Sequence, residues 1–68
     1  MEYVGERIKR VREQKGMSIT MLSERSGIAK SYISSIERNI QTNPSVDCLV
    51  KLSKALDIRP EHFIQEQE

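Results

Sequence analysis

Apolar residues recur at spacings of three and four along this chain, and Gly, Pro or Asn interrupts the pattern at short intervals. Val4, Ile8 and Val11 form one such stripe, and a second consists of Val46, Leu49, Leu52 and Leu56. This spacing puts side chains on one face of an α-helix, whereas strands need an alternation that no segment sustains. The 68 residues therefore predict a single all-α domain, residues 1–68, built from five short helices.

Residue types typical of helix ends mark the borders between the five segments. Gly16 and Gly27 suit the left-handed conformation that ends many helices, and Ser18 can cap the next helix by accepting backbone N–H groups. Asn43-Pro44 predicts that the fourth helix opens with an asparagine cap followed by a proline in its first position. The expected helices span approximately residues 3–14, 19–26, 30–38, 45–55 and 60–65.

Composition and reactive residues exclude several classes of protein. Hydrophobic residues make up 37% and charged residues 31%, which fits a small soluble globule better than a disordered tail. No apolar run could span a bilayer, and the single cysteine, Cys48, indicates a reducing, cytoplasmic environment. Cys48 and His62 have no partners at zinc spacing, and there is no glycine-rich phosphate loop after a strand. We expect no metal, no cofactor and no enzymatic activity.

Charge is divided unevenly along the chain, although the formal net charge is only +1. Residues 1–38 hold eight basic and five acidic groups, a net of +3, whereas residues 39–68 hold three basic and five acidic groups, a net of −2. Such asymmetry favours a polyanion-binding half, as weak evidence by itself.

The most informative motif is a pair of short helices joined by Gly27-Ile28-Ala29. A small residue, Ser23, stands where the helices would cross, and Leu22, Ile28, Ile33 and Ile36 are the apolar positions of a helix-turn-helix. The second helix of such a unit can lie in the DNA major groove while the first crosses the backbone. Helical hairpins with a glycine turn also occur in proteins that never touch DNA, so the outer face of the second helix decides between the two interpretations.

That outer face is polar and free of acids. At about 100° per residue, Ser34, Ser35 and Arg38 lie within about 60° of Ser31, and Lys30 and Tyr32 flank them. Serine and lysine can donate to base edges, so the candidates for base contacts are Lys30, Ser31 and Ser35. The candidates for DNA backbone contacts on this helix are Tyr32, Ser34 and Arg38. Without the turn, an ordinary solvated face would be the better interpretation of the serines.

The stretches IKRVR (8–12), GIAKSYISSIERN (27–39) and QTNPS (41–45) resemble the phage-repressor-like helix-turn-helix family, also called the XRE or Cro/C1 type. Within that family they are most similar to the DNA-binding domain of SinR-type regulators. The resemblance covers nearly everything from Gly5 to Ile64. It implies a compact, five-helix, lambda-repressor-like fold with the helix-turn-helix at helices two and three. Ile19 departs from the pattern, because many phage repressors present a glutamine to DNA at this position.

The resemblance also implies a function and roles for particular residues. It implies a sequence-specific transcriptional regulator, a repressor, that inserts the helix at 30–38 into the major groove of double-stranded DNA at a two-fold or repeated operator. By family analogy Arg12 and Glu37 form a structural ion pair between helices one and three. The same analogy, with Thr42 added as a neighbour, places further residues near the DNA backbone: Ser18, Asn39, Thr42 and Asn43.

Two questions about partners stay open at this level. Such domains normally bind as two-fold dimers, and Phe63 and Ile64 could form a homodimer interface, as in restriction-modification controller proteins of similar length. Equally, Phe63 could close the core of a monomer belonging to a longer regulator. The alternative function is a protein-interaction module, an antitoxin or antagonist-binding domain on the same fold. Lys30, Tyr32 and Arg38 around an acid-free stripe favour DNA, because protein docking would not require them.

Overall fold

Five helices account for most of residues 3–64, the part of the chain that this computed structural model describes, with side chains described for residues 3–63. They are α1 (Val4–Gln14), α2 (Ile19–Ser26), α3 (Lys30–Glu37), α4 (Val46–Ala55) and α5 (Glu61–Ile64). Residues 3–64 contain no strand, which confirms the all-α fold class. No helix in this part is long and apolar enough to cross a membrane. The expected end of α5 at residue 65 lies outside the described residues.

The first two helix borders follow from local backbone chemistry, as predicted. Gly16 and Gly27 have positive φ angles of 68° and 77°, in the left-handed region that only residues without a Cβ enter freely. Gly27 is the C-cap of α2, and its N–H donates to the carbonyl oxygen of Ser23 at 2.9 Å. Ser18 is the N-cap of the same helix, and its hydroxyl oxygen accepts the N–H of Met21 at 3.0 Å.

The start of α4 differs from the prediction that Asn43 caps the helix and Pro44 occupies its first position. Ser45 is the N-cap, and its hydroxyl oxygen accepts the N–H of Cys48 at 3.1 Å. Pro44 precedes the cap and is buried. Because the helix starts later, Val46 occupies its first turn and is 60% exposed rather than part of the apolar stripe. Asn43 and Ser45, two positions apart, are both residue types that cap helices, and Ser45 is the cap in the structure, with Pro44 buried between them.

The core forms where the helices pack in a closed ring: α3 lies against α1 and α2, α4 against α2 and α5, and α5 against α1. Its fully buried apolar side chains come from all of the first four helices and the residue after α4: Ile8, Leu22, Ile33, Ile36, Leu52 and Leu56. Each such side chain stabilises the fold by about 2 kcal/mol relative to an exposed one. Ile33 and Ile36 therefore hold α3 firmly against the core and leave its other side outward.

Phe63 belongs to this core. Its ring is 4% exposed in the single chain and packs in the same cluster as Leu52 and Leu56. The monomer therefore already uses the aromatic ring that one interpretation assigned to a dimer interface. The side chain of Ile64 lies outside the described residues, so its part in a homodimer stays a prediction.

Asn39 ends α3 with a left-handed backbone, at φ 63°. Replacing it by Ala is expected to lower the free energy of unfolding by about 1 kcal/mol, because residues with a Cβ other than Asn and Asp rarely take this conformation. Replacing it by Gly is expected to cost much less. Urea unfolding of the two variants checks this: equal losses would show that the side-chain amide, rather than the backbone, makes the difference.

Candidate nucleic-acid interface

Two serines near the end of α2 bond to the turn between α2 and α3. The hydroxyl of Ser23 donates to the carbonyl oxygen of Ile28 at 2.7 Å, and the hydroxyl oxygen of Ser26 accepts the N–H of Ile28 at 3.2 Å. Gly27, which follows Ser26, supplies the left-handed residue of the turn, and Ile28 packs against the core. The small side chain of Ser23 thus fits at the helix crossing and also bonds to the turn. These contacts set the direction in which α3 leaves α2, which is the geometry of a helix-turn-helix.

The outward side of α3 carries hydroxyls and cations. Six of the predicted contact residues lie on or beside it, with Lys30, Ser31 and Arg38 exposed and the others half-buried: Lys30, Ser31, Tyr32, Ser34, Ser35 and Arg38. Glu37 is the single acid of this helix, and it is buried. A phosphate backbone can therefore approach α3 without meeting a carboxylate on the helix itself.

Hydrogen bonds within the protein limit what some of these side chains can offer. The ammonium of Lys30 donates to the hydroxyl oxygen of Thr20 on α2 at 3.1 Å, which leaves two of its three hydrogens for a ligand. The hydroxyl of Ser35 donates to the carbonyl oxygen of Tyr32 at 2.8 Å. While that bond persists, Ser35 can only accept hydrogen bonds from a ligand, whereas Lys30 can only donate them.

A buried ion pair joins α1 to the inner side of α3. The Arg12 Nε lies 2.8 Å from Glu37 Oε2, and Arg12 Nη2 lies 3.0 Å from Glu37 Oε1, a bidentate arrangement. A third bond runs from Arg12 Nη1 to the carbonyl oxygen of Met17 at 2.8 Å. The hydrogen bond to Glu37 raises the pKa of Arg12, burial opposes that shift, and the Glu37 charge adds to it. The guanidinium thus stays charged and ties α1, the loop before α2, and α3 together.

Gly5 allows α1 to approach the end of α3 closely. A Cβ at this position would overlap with the carbonyl oxygen of Ile36 and lie 2.8 Å from its carbonyl carbon. Gly5 is itself buried in the first turns of α1. With Arg12 two turns later on the same side, α1 is fixed against α3 at two points.

The remaining backbone candidates lie at the edges of this surface. Ser18 is exposed, and because its oxygen accepts a bond in the cap, its O–H stays available to a phosphate. Thr42 and Asn43 are exposed in the loop between α3 and α4. Asn39 differs, because its Nδ2 donates to Glu6 Oε2 on α1 at 3.4 Å. Its Oδ1 is buried without a hydrogen-bond partner in the described part of the chain. The amide of Asn39 is therefore committed towards α1.

Other reactive side chains show no site of their own. Cys48 is buried, and burial, followed by the charge of Asp47, raises the pKa of its thiol, which disfavours the reactive thiolate. Within the described residues, no three His, Cys, Asp or Glu side chains cluster as metal ligands.

The sequence analysis did not single out two residues, Thr20 and Gly5, that position α3 and its lysine. Thr20 holds the ammonium of Lys30, but nothing in a helical pattern shows which α2 residue a lysine side chain will reach. Gly5 could have been noticed in the sequence, because an isolated glycine inside a helix is unfavourable compared with alanine.

Comparison with known proteins supports the helix-turn-helix geometry of α2 and α3. The helix-turn-helix family model matches residues 8–63. The HTH-type transcriptional regulator SinR of Bacillus subtilis (strain 168) is 50% identical over 64 residues, which cover 94% of this chain. The chain spans 58% of the length of that relative.

Two solved structures of SinR align closely with the fold. The crystal structure of SinR, the master regulator for biofilm formation, in complex with DNA has a TM-score of 0.86 at 50% identity and covers 91% of this chain and 98% of that one. The complex of SinR with the SinI protein has a TM-score of 0.85 at 51% identity and covers 93% of this chain and 61% of that one. With the buried ion pair, the glycine turn and the family match in agreement, this chain belongs to the helix-turn-helix family, and it is SinR-like within that family.

Proposed function

We propose that this chain is the sequence-specific DNA-binding domain of a transcriptional regulator that inserts α3 into the major groove. The observation that carries the proposal is the acid-free outward side of α3, held in place from behind by the Arg12–Glu37 pair. An α-helix is about 10–12 Å wide with its side chains, which matches a major groove about 12 Å wide. The structure of SinR with DNA supports this role, because half of its aligned residues are identical to those of this chain.

The residue roles follow from hydrogen-bonding capacity. We assign base contacts to Lys30, Ser31 and Ser35, with Lys30 donating to guanine acceptors and Ser35 accepting from the amino group of adenine or cytosine. Contacts to the DNA backbone fix the register and are assigned to residues around α3: Ser18, Tyr32, Ser34, Arg38, Thr42 and Asn43. Asn39 at the end of α3 is also assigned to the DNA backbone. In the free chain its side-chain Nδ2 donates to Glu6, so this contact requires the amide to turn away from α1.

The assembly and location belong to the same proposal. One recognition helix reads few bases, so the domain acts as a homodimer on a two-fold operator in the cytoplasm. We assign repression, because a bound regulator blocks other proteins from an overlapping site and because an immunity repressor of Bacillus phage phi105 is among the relatives, at 33% identity over 64 residues. By analogy with the SinR–SinI complex, a protein antagonist is a further partner. A role as a protein-interaction module alone is not favoured, because such a role does not explain the acid-free outward side of α3. We propose no enzymatic activity, since the relatives are transcriptional regulators.

Selection of binding sites from random duplex DNA at two salt concentrations tests the function. We expect an enriched inverted repeat with half-site centres about ten base pairs apart. Affinity should fall steeply with salt, because each phosphate contact releases a counterion. Absence of any enriched sequence, with weak binding at low salt only, would contradict the proposal.

Replacing Lys30 by Ala separates base reading from phosphate binding. We expect a loss of about 1–3 kcal/mol in binding free energy and relaxed preference at one operator position. Arg38→Ala should instead weaken binding to all sequences and reduce the salt slope by about one. Arg25→Ala, at an exposed arginine near the end of α2, serves as the control. The base-reading role of Lys30 is wrong if K30A weakens all sequences equally.

A further inference from the structure

A hydrogen bond between α2 and α3 joins the base-contact candidate Lys30 to Thr20, a residue outside the proposed DNA-contacting set. The Nζ of Lys30 donates to Thr20 Oγ1 at 3.1 Å, across ten positions of the sequence. Lys30 is the first residue of α3 and Thr20 is the second residue of α2. Both residues are exposed, so the contact lies on a surface that a ligand of α3 can cover.

Stability of the free chain does not explain this position of the lysine. The N-terminus of a helix carries a partial positive charge, which disfavours a cation in the first turn. Lys30 occupies the first turn of α3, and its ammonium bonds to a residue in the first turn of α2. Neither of these turns contains an acidic residue, so the acceptor is a neutral hydroxyl. An exposed pair also loses side-chain entropy when it forms, so its main effect falls on ligand binding rather than on folding.

The backbone that carries Thr20 is fixed on both sides. Ser18 caps α2 in front of it, and Leu22 after it is fully buried in the core. The hydroxyl of Ser23 bonds to the turn that leads to α3. The Thr20 oxygen therefore has a defined position relative to the start of α3, and it directs a lysine stem that is flexible by itself.

The hydrogens that remain on the ammonium match the acceptors of one base. A lysine ammonium has three hydrogens, so one bond to Thr20 leaves two. Guanine presents two acceptors, O6 and N7, at its edge in the major groove. A lysine that is already held by its third hydrogen loses less conformational freedom when it binds.

We propose that Thr20 is a positioning residue for base recognition, whose hydroxyl directs the ammonium of Lys30 to a guanine of the operator. The inference rests on the proposed DNA-binding function and adds the residue that aims the lysine. Because Thr20 acts through Lys30, it strengthens the preference for guanine at one operator position and leaves the other positions unchanged.

Selection from random duplex DNA with the parent chain and the variants T20V, T20S and K30A tests this role. Valine has the shape of threonine without the hydroxyl, and serine keeps the hydroxyl. We expect T20V to reduce the preference for guanine about threefold to tenfold, at the same position that K30A relaxes. T20S should keep the parent preference. The salt dependence of T20V should equal that of the parent chain, because no phosphate contact is lost.

The K30A/T20V double variant separates positioning from a direct contact. If Thr20 acts through Lys30, adding T20V to K30A should cause no further loss of affinity. A further loss in that background would show that Thr20 contacts DNA by itself and would overturn the inference. An unchanged guanine preference in T20V, or equal losses from T20S and T20V, would also overturn it. Thermal unfolding of T20V should match that of the parent chain, because residue 20 is exposed.

The outcomes distinguish this inference from the DNA-binding function itself. A parent chain that enriches no sequence overturns both, whereas an enriched operator that T20V reads like the parent chain overturns the role of Thr20 alone. Nitrogen-15 relaxation of the lysine ammonium groups measures the contact without DNA. We expect Lys30 to be more restricted than Lys54, an exposed lysine of α4, in the parent chain and T20S but not in T20V. Equal mobility of the two lysines in the parent chain would show that Thr20 does not hold Lys30.

Discussion

Replacing Glu37 by Ala should lower the free energy of unfolding by about 3–5 kcal/mol, because it leaves the Arg12 guanidinium buried without its counter-charge. The Glu37 side chain is 4% exposed and that of Arg12 is 10% exposed, so water cannot replace the lost carboxylate without opening the fold. What would remain is the hydrogen bond from Arg12 to the carbonyl oxygen of Met17 and the longer, exposed contact with Glu13. A domain with a total stability of about 5–15 kcal/mol would lose a large part of it.

Urea unfolding of two control variants shows whether burial causes this loss. Glu13 also lies near Arg12, at 3.9 Å, but it is 58% exposed, so Glu13→Ala should cost less than about 1 kcal/mol. The double variant R12M/E37L removes both charges together and should recover much of the stability that E37A loses. A loss from E37A no larger than that from E13A would show that the pair is solvated and contributes little.

The same experiment connects stability to DNA recognition. If the pair orients α3, R12M/E37L should fold but bind its selected operator less tightly than the parent chain. Unchanged affinity in a folded R12M/E37L variant would mean that Ile33 and Ile36 alone hold the recognition helix in place.

Replacing Gly5 by Ala is expected to destabilise the domain by about 3 kcal/mol, despite the better helix propensity of alanine. The gain from propensity is about 1 kcal/mol at most. The added methyl group would overlap with the backbone of Ile36, which cannot move aside by rotating a side chain. Either α1 shifts away from α3 or the end of α3 distorts, at the upper end of the usual cost of overpacking.

Thermal unfolding measures this effect, and Gly16→Ala provides a comparison. Gly16 has open space around its Cα, so its substitution tests only the cost of a left-handed backbone, about 1–2 kcal/mol. Gly5→Ala should lose more stability than Gly16→Ala. A stabilised Gly5→Ala variant would show that propensity outweighs the contact and that α1 does not approach α3 as closely as described.

Local chemistry explains why much of the fold could be predicted. A stripe at helical spacing defines a helix by itself, and Gly27 and Ser18 act on backbone groups only a few residues away. The polar stripe of α3 also follows from spacing, since Ile33 and Ile36 can only point inward. The helix-turn-helix and its outward residues were therefore readable from sequence.

Contacts between distant helices were not readable in this way. Asn43-Pro44 and Ser45 are both acceptable helix starts by sequence, and the structure has Ser45 as the cap with Pro44 buried before it. The pairing of Arg12 with Glu37 came from family resemblance, because no rule of spacing connects residues 25 positions apart. The turn of Asn39 towards Glu6 likewise depends on where α1 lies.

The sequence by itself thus determined five short helices, the glycine turn and the acid-free outer side of α3, because each depends on neighbours within a few residues. The tertiary structure alone decided that Gly5 lies against Ile36, that Thr20 accepts a hydrogen bond from Lys30, and that Phe63 packs in the core. These contacts depend on the angles at which helices pack, and those angles result from the whole core at once.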